Sequence, residues 1–384
     1  MSLIHLFFPL FLVSLTLCFN PPLKNTIMAH RGVWGYFPEH AIDGFITAYY
    51  MGTDYLETDI SVTKDGELVI FHDSYLDNVT NVANYKEYEV RKRNDTVDGN
   101  PVFNKLFISD FTFQEILGLF ITQRFAYRPQ TLNERYKVIT LEELINVTIE
   151  LNKKLNKTVG IYIEPKSPEF FNRVLGISIN QRIYDLLKQY DLHDRNTENF
   201  KYCPIVIQSF EFETIKYFKS VSNLPLIFLM RWSGQYNLKE LAKYTDGIGP
   251  DLDFIYYERI DDILFCDGVF YKNVEEFKEK VCLNKRQDPW EILGKKVLNQ
   301  SSNKFIEFAH DLGLVVHPWQ MANDQHRISD DYILEYYKLL QLGVDGFFTD
   351  FCDSGIFAIK HFKNLIYNFD TKFTRPSNKF INLK

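Results

Sequence analysis

Residues 55–71 read YLETDISVTKDGELVIF. Two runs in this stretch, Tyr55 to Val62 and Leu68 to Phe71, are rich in β-branched and apolar residues, which is typical of buried strands. Similar short runs recur along most of the chain, separated by longer amphipathic segments. Such alternation is the pattern of repeated βα units around a parallel sheet.

Working outward from this stretch, we count about eight strands separated by helical patterns. The predicted strands are Thr26 to Ala29, Tyr55 to Val62, Leu68 to Phe71, Val159 to Ile163, Ile205 to Ser209, Leu226 to Leu229, Leu314 to Pro318 and Gly346 to Thr349. We therefore predict an α/β fold, a TIM-type (β/α)8 barrel, for residues 20–384.

Two segments interrupt the βα rhythm. Tyr75 to Tyr136 is charged, rich in Asn and aromatic residues, and too long for an ordinary connection. We interpret it as a small insertion after the third predicted strand. Pro250 to Lys296 is a second irregular stretch in the later half of the chain.

Composition and charge narrow the class of protein. The chain has 384 residues, of which 46% are hydrophobic, so one large barrel domain accounts for its length. The formal net charge is −7 at pH 7, which is unlike the basic surface that a nucleic-acid backbone requires. We expect a small-molecule partner and no nucleic acid.

An apolar run from Leu3 to Phe19 precedes the pair Pro21 and Pro22 and resembles the core of a secretory signal. We predict a signal peptide over residues 1–19 and secretion of the mature chain. The alternative is a retained membrane anchor, but Pro9 interrupts the run and no basic stop-transfer flank follows it. After cleavage we expect no stable membrane span.

Glycosylation sequons and cysteines agree with an exported protein. The sequons begin at Asn78, Asn94, Asn146, Asn156 and Asn299. Without Cys18, four of the 5 cysteines remain. We favour a disulfide between Cys266 and Cys282, whose loop would contribute about 3 kcal/mol. We expect Cys203 and Cys352 to stay unpaired at opposite ends of the barrel.

Three carboxylates fall on two predicted strands, Glu57 and Asp59 on the second and Glu164 at the end of the fourth. Residues at i and i+2 of a strand face the same side, so Glu57 and Asp59 share one face. Like charges this close raise one another's pKa or require a cation. An all-oxygen set predicts one divalent cation, Ca²⁺ or Mg²⁺, rather than zinc. The alternative is that these are solvated acids at strand ends.

Two histidines and two cationic residues fall at neighbouring strand ends. His30 and His72 end the first and third predicted strands, which suits one group that takes a proton and another that gives one. Arg31 and Lys166 suit phosphate oxygens, with surface ion pairing as the alternative for each. We interpret six further histidines as structural: His40, His193, His310, His317, His326 and His361.

An ordered set of short segments runs through nearly all of the mature chain. They are Ala29 to Ala41 (AHRGVWGYFPEHA), Tyr55 to Asp59 (YLETD), Thr63 to Asp77 (TKDGELVIFHDSYLD), Val79 to Val82 (VTNV), Glu164 to Pro168 (EPKSP), Gln208 to Phe210 (QSF), Asp246 to Asp251 (DGIGPD), His317 to Trp319 (HPW) and Gly343 to Phe351 (GVDGFFTDF). Together they resemble the glycerophosphodiester phosphodiesterase family, within the phospholipase C-like barrel superfamily. The periplasmic-type branch is the closer likeness.

The resemblance implies a role for each candidate residue. It implies a divalent cation held by Glu57, Asp59 and Glu164, His30 and His72 as the acid and base pair, phosphate contacts from Arg31 and Lys166, and Trp319 lining the substrate cleft. It also places Ala41 where the family commonly has Thr, so we expect the helix that follows to lack a side-chain cap.

The reaction that the resemblance implies is metal-dependent hydrolysis of glycerophosphodiesters to sn-glycerol 3-phosphate and an alcohol, in glycerol and phospholipid metabolism. Two alternatives stay open: a secreted phospholipase D-like enzyme acting on lysolipids or sphingolipids, and a non-catalytic binding glycoprotein. The insertion should narrow the cleft and favour a small, lipid-free diester. A non-catalytic protein would be expected to have lost some of the carboxylates and histidines.

Overall fold

The structure is a computed structural model that describes residues 23–234, 236–257, 259–260, 263–266, 269–271 and 303–372. The predicted signal peptide and the sequon at Asn299 lie outside these residues. The predicted disulfide also lies outside them, because Cys282 and the side chain of Cys266 are not described.

Eight parallel strands form a nearly closed barrel, which confirms the predicted fold class. They are β1 (Thr26–Ala29), β2 (Tyr55–Val62), β6 (Gly160–Pro165), β7 (Ile205–Ser209), β8 (Leu226–Met230), β9 (Gly247–Pro250), β13 (Val315–Val316) and β14 (Gly346–Thr349). Their order around the sheet is β13-β9-β8-β7-β6-β2-β1-β14. Backbone hydrogen bonds near β13 and β14 join the two ends, including one of 3.0 Å from the Asp345 amide to the Val316 carbonyl.

One of the predicted barrel strands was wrong. The run at Leu68–Ile70 forms β3, which pairs antiparallel with β2 rather than joining the parallel barrel. The physical reason is the short connection between the two strands, because a parallel crossover needs a dozen or more residues. The eighth barrel strand is instead Gly247–Pro250, which the strand count missed. The insertion therefore follows an antiparallel offshoot of the second barrel strand.

The described helices surround the barrel or lie in the insertion. They are α1 (Ile42–Met51), α2 (Phe113–Ile116), α3 (Leu141–Leu155), α4 (Pro168–Leu175), α5 (Ile179–Gln189), α6 (Glu198–Tyr202), α7 (Phe212–Val221), α8 (Leu238–Leu241), α9 (Leu252–Tyr257), α10 (Lys304–Asp311), α11 (Tyr332–Leu342) and α12 (Cys352–Lys372). None of the described helices combines the length and the apolar character needed to cross a bilayer. Helix α1 begins after Ala41 without a side-chain cap, as expected.

Side chains inside the barrel change character along its axis. The lower interior is apolar and aromatic, formed by Met28, Tyr55, Tyr162, Val206, Ile227 and Phe348. Because alternate residues of a strand face the same side, the inward positions continue upward from Tyr55 to Glu57 and Asp59, and from Tyr162 to Glu164. The packed lower layer thus supports a polar layer at the carboxyl ends of the strands.

The insertion folds as a small unit beside this polar layer. It contains the antiparallel hairpin of β4 (Arg93–Val97) and β5 (Asn100–Lys105), three short 3-10 helices at Val82–Asn84, Lys86–Arg91 and Ile108–Asp110, and α2. Arg173 of α4 holds the hairpin by donating to Asp95 at 2.7 Å and to the Thr96 carbonyl at 2.8 Å.

The second irregular stretch also contains regular structure. After α9, three short strands form an antiparallel sheet: β10 (Arg259–Ile260), β11 (Ile263–Cys266) and β12 (Val269–Tyr271). Cys203 and Cys352 are buried free thiols, which confirms that these two stay unpaired. Burial raises the pKa of each thiol to about 12.

A threonine cap fixes the start of α3, the helix that leads into β6. The Thr140 hydroxyl accepts from the Glu143 amide, and the Glu143 carboxylate accepts in return from the Thr140 amide at 2.7 Å. We expect Thr140→Ala to lower the free energy of unfolding by about 1 kcal/mol, since the Glu143 amide loses the hydroxyl that accepts its hydrogen bond. Urea denaturation measures this, with exposed Thr131→Ala as the control. Equal midpoints for the two variants would contradict the expectation.

Candidate active site

A cavity of about 430 Å³ opens at the carboxyl ends of the barrel strands. Its floor contains the inward-facing polar side chains, and the insertion forms one wall through Val97, Asp98, Asn100 and Val102. In barrels of this kind the strand ends are where catalytic groups collect. The cavity therefore gathers groups that are far apart in the sequence.

The three predicted carboxylates come together at the base of the cavity, which Glu57 and Glu164 line directly. Asp59 on β2 lies opposite Glu164 on β6 in the strand register. Glu57 precedes Asp59 by two residues on the same strand, so it lies deeper in the barrel. One oxygen from each of the three lies within 4.8 Å of the others. Glu57, Asp59 and Glu164 are only 2%, 1% and 7% exposed, so the alternative of solvated strand-end acids is wrong.

Burial and mutual repulsion perturb these acids. Burial, followed by the charge of Asp59, raises the pKa of Glu57 well above its ordinary value. Burial also raises the pKa of Glu164 to about 7, although Lys166 opposes this. Burial opposes ionisation of Asp59 too, but the neighbouring His72, Lys166 and Arg31 hold its pKa below the ordinary value. The cluster is thus an anionic site only partly compensated by protein cations.

This donor set fits a hard divalent cation. Three buried carboxylates converge from two adjacent strands, and their oxygen atoms are the ligands that calcium and magnesium prefer. A bound cation would also relieve the repulsion that raises the pKa of Glu57. Glu57, Asp59 and Glu164 could therefore hold one metal ion together.

Arg31 and Lys166 lie against the carboxylate cluster and are buried rather than paired on the surface. The Arg31 amide donates to Glu57 Oε2 at 2.9 Å from a left-handed backbone with φ of 52°, and its Nε lies 3.1 Å from Asp59 Oδ2. Lys166 Nζ donates to Glu164 Oε1 at 2.6 Å and lies 3.7 Å from Asp59 Oδ1. Both side chains also line the cavity, where they present positive charge beside the acids.

His30 leaves the end of β1 and lines the cavity with a carboxylate behind it. Its Nδ1 lies 2.6 Å from Asp350 Oδ1 at the end of β14. Because a carboxylate only accepts, Nδ1 carries the proton and the other ring nitrogen is left for reaction. Burial, followed by the charge of Arg31, lowers the pKa of His30. Asp350 thus fixes the tautomer and the orientation of the ring at the cavity wall.

His72 reaches the same cavity by a route that differs from the prediction. It follows β3, which runs antiparallel to β2, and the Phe71 amide donates to the Asp59 carbonyl at 2.9 Å. The returning strand therefore brings His72 back to the level of Asp59. Its Nδ1 lies 2.6 Å from Asp73 Oδ1. Burial and the neighbouring Arg31 and Lys166 charges lower the pKa of His72 to about 3.

Aromatic groups form another part of the cavity wall. The Trp319 indole donates to the Gly249 carbonyl at 2.9 Å, and its ring meets Phe210 edge to face at 5.6 Å between centroids. Arg231, at the end of β8, lies over the Phe210 ring at 4.0 Å. The structure thus places Trp319 in the cleft wall and adds Phe210 and Arg231, whose roles the sequence did not indicate.

Several groups that support the site were not singled out from the sequence. Gln208 donates to Glu57 Oε1 at 2.9 Å, while Asp350 and Asp73 accept from the two histidines. Asp350 directly follows a barrel strand, so the strand-end rule that found His30 also indicates Asp350.

His40, interpreted as structural, has its Nε2 3.3 Å from Asp59 Oδ2 and is buried beside the cluster.

Comparison with known proteins agrees with this geometry. Residues 30–354 match the model of the glycerophosphoryl diester phosphodiesterase family. A glycerophosphodiester phosphodiesterase of Arabidopsis thaliana, GDPD6, is 30% identical over 352 residues, which cover 85% of this chain and 84% of the relative. A glycerophosphodiester phosphodiesterase of Haemophilus influenzae is 28% identical over 388 residues, covering 90% and 93% of the two chains.

Solved structures share the fold at low sequence identity. A glycerophosphoryl diester phosphodiesterase described as putative, from Silicibacter pomeroyi, has a TM-score of 0.58 at 16% identity, with 89% of this chain and 97% of that chain covered. A phosphodiesterase of Oleispira antarctica, determined with the product sn-glycerol-3-phosphate, has a TM-score of 0.52 at 16% identity, covering 88% and 97%. Since the family match spans most of the sequence and the curated relatives match along most of their own length, this protein is an enzyme of the glycerophosphoryl diester phosphodiesterase family.

Proposed function

We propose that the enzyme hydrolyses glycerophosphodiesters to sn-glycerol 3-phosphate and an alcohol, as a step in glycerol and phospholipid metabolism, and that it needs one divalent cation, Ca²⁺ or Mg²⁺. One observation carries the proposal. Two carboxylate-backed histidines and a cluster of three buried carboxylates, two of which line the cavity directly, lie together at the mouth of the barrel. The product bound to the Oleispira antarctica phosphodiesterase supports the same reaction.

Substrate binding falls to the cations of the cavity. The Arg31 guanidinium presents a planar fork to phosphate oxygens, and Lys166 adds a point charge on the same floor. Glu57, Asp59 and Glu164 would hold the cation, which when bound supplies Lewis-acid polarisation of the phosphoryl oxygens. Trp319 forms part of the cavity wall and limits the orientations that the diester can adopt. These groups orient the phosphorus toward the two histidines.

Proton transfer falls to His30 and His72. Asp350 and Asp73 fix each ring with Nδ1 protonated, so the second nitrogen of a neutral ring accepts a proton and that of a charged ring donates one. One histidine takes the proton of the nucleophile as the new bond to phosphorus forms. The other gives a proton to the leaving alcohol oxygen as the old bond breaks, and water is consumed overall.

The surroundings of the cleft favour a small diester over a lysolipid. A second cavity of about 740 Å³ adjoins the first, and charged groups dominate its lining. They are Asp98, Glu164, Lys166, Glu169, Glu211, Glu213 and Arg231. Burial, followed by the charge of Asp98, raises the pKa of Glu211 to about 7. An acyl chain would gain little from such walls, because its transfer from water is favourable only into apolar surroundings.

The test is product analysis with purified enzyme and glycerophosphocholine. We expect release of sn-glycerol 3-phosphate and choline, loss of release with excess chelator, and recovery with Ca²⁺ or Mg²⁺. Release of phosphocholine instead, or full activity in chelator, would contradict the proposal. Cleavage of lysophosphatidylcholine alone would favour the phospholipase D-like alternative, and no turnover of either would favour a binding protein.

We also propose that residues 1–19 direct export and that the sequons are used. Asn78, Asn94, Asn146 and Asn156 are all exposed, which supports their accessibility. When the full chain is expressed in a secreting eukaryotic cell, we expect the enzyme to appear in the culture medium. Treatment with peptide N-glycosidase should then lower its mass. Retention inside the cell without a shift in mass would overturn this part of the proposal.

A further inference from the structure

Two arginines of the insertion each donate to a carboxylate that is hydrogen-bonded to one of the two histidines. We propose that Arg124 and Arg128 are positioning residues, each of which fixes the carboxylate that orients one catalytic histidine. The insertion is then a working part of the catalytic machinery rather than only a wall of the cleft. This inference rests on the proposed function, because it concerns the histidines that the proposed reaction uses.

Arg124 acts on the His72 side. Its Nη1 and Nη2 donate to the two oxygens of Asp73 at 3.1 and 3.0 Å, and Asp73 Oδ1 is the partner of His72 Nδ1. The same guanidinium donates through Nε and Nη2 to Glu39 at 2.9 Å each. Glu39 in turn accepts from Arg31 Nη1 at 3.2 Å. Arg124 therefore ties His72 to the arginine expected to hold phosphate.

Arg128 repeats this arrangement on the His30 side. Its Nη2 donates to Asp350 Oδ2 at 2.6 Å, while Asp350 Oδ1 is the partner of His30 Nδ1. Its Nε and Nη2 also donate to Asp324 at 2.7 and 3.0 Å. The side chains of Arg128 and Asp350 are 1% and 0% exposed. This chain of contacts is therefore shielded from water and ions.

Aromatic packing fixes the segment that carries both arginines. Phe125 stacks on Trp34 at 5.1 Å between ring centroids, and the Arg128 guanidinium lies 4.7 Å from the Trp34 centroid. The Trp34 indole donates to Gln123 Oε1 at 3.1 Å, and Gln123 Nε2 donates to the Phe37 carbonyl at 3.0 Å. The loop after β1, which begins at His30, is thus bonded to the loop that holds the two arginines.

The guanidinium geometry explains why arginine occupies both places. Each side chain contacts two carboxylates at once, which a planar fork can do with fixed angles and a lysine ammonium cannot. A carboxylate held in this way sets both the tautomer and the rotation of the histidine ring. Lysine at either position would keep the charge balance but would release the ring from its fixed orientation.

Arg124→Lys and Arg128→Lys test the inference with steady-state kinetics on glycerophosphocholine. We expect kcat to fall roughly 10–100-fold in each variant, as for other groups that orient reacting side chains. We expect KM to change much less and the melting temperature to stay near that of the wild type. Arg135→Lys, an exposed change in the same insertion, is the matched control. Wild-type kcat in both test variants would overturn the inference.

Double variants separate positioning from general support of the fold. If Arg124 acts through His72, then Arg124→Lys should cost little further activity in a His72→Ala background, but should still add its full loss in a His30→Ala background. Arg128→Lys should show the opposite pattern. Equal losses in both backgrounds would show a merely structural role and would overturn the assignment.

A proton NMR measurement keeps the inference independent of turnover. A histidine ring N–H held by a buried carboxylate gives a far-downfield proton signal, and we expect one from His30 and one from His72 in the wild type. His72→Ala and His30→Ala identify them, and each lysine variant should shift or remove only its own. Absence of glycerophosphodiesterase activity in the wild type would contradict the proposed function. Unaltered signals in both lysine variants would contradict the positioning role.

Discussion

We expect Asp59→Asn to lower kcat/KM for glycerophosphocholine by roughly 10³-fold or more. A bound cation supplies several kcal/mol of transition-state stabilisation, and its loss slows the reaction by about this factor. Asp59 is the central acid of the cluster, lying opposite Glu164 and near Lys166 and Arg31. Asparagine keeps the shape of the side chain and removes its charge. The effect is therefore a test of metal binding rather than of packing.

Calorimetric titration with Ca²⁺ and Mg²⁺ gives this variant a readout besides activity. We expect weaker binding by Asp59→Asn than by the wild type, and unchanged binding by the exposed control Asp330→Asn. A variant with wild-type kcat/KM would contradict the assignment of Asp59 as a metal ligand. Lost activity with unchanged metal affinity would do the same.

His72→Ala and His30→Ala are each expected to lower kcat by roughly 10²–10⁴-fold, the usual contribution of a positioned acid or base. A diester with an activated aryl leaving group should distinguish their roles. Such a group leaves without protonation, so the variant that lacks the acid should recover much of its rate while the variant that lacks the base should not.

Exposed His326→Ala is the matched control for these variants and should retain wild-type kcat. Parallel assays of glycerophosphocholine and the aryl diester measure the effect. A loss of less than tenfold in both His30→Ala and His72→Ala would contradict their assignment as the acid and base pair.

Alternating strand and helix patterns were sufficient to predict the barrel, but two strands were misjudged. The run at Leu68–Ile70 has strand composition, yet its short connection to Val62 forces an antiparallel pairing that composition alone does not reveal. The strand at Gly247–Pro250 contains two glycines and a proline, which usually mark turns.

Glycine is required inside that strand for a steric reason. A Cβ at Gly247 would lie 2.4 Å from the Val315 side chain, and one at Gly249 would lie 2.6 Å from the Leu229 side chain. Neighbouring barrel strands approach closely there, and only the folded structure shows it. Tertiary packing therefore overrode the local preference of these residues.

Strand positions account for the candidate residues that the structure brings together. Glu57, Asp59 and Glu164 form one cluster because strand periodicity and parallel pairing bring them together. Arg124 and Arg128 lie in an irregular loop, and the Arg128 partner Asp350 is 222 residues away in the sequence. No periodic pattern links such positions, so their contacts follow only from the fold.

The most direct test of the account is to count the divalent ions bound per chain while activity returns. Chelator-treated enzyme is titrated with Ca²⁺ or Mg²⁺, and bound metal and sn-glycerol 3-phosphate release are measured together. We expect the metal-free wild type to be inactive and its activity to rise in proportion to one bound ion per chain, with no such recovery in Asp59→Asn. Full activity in the metal-free wild type would contradict it.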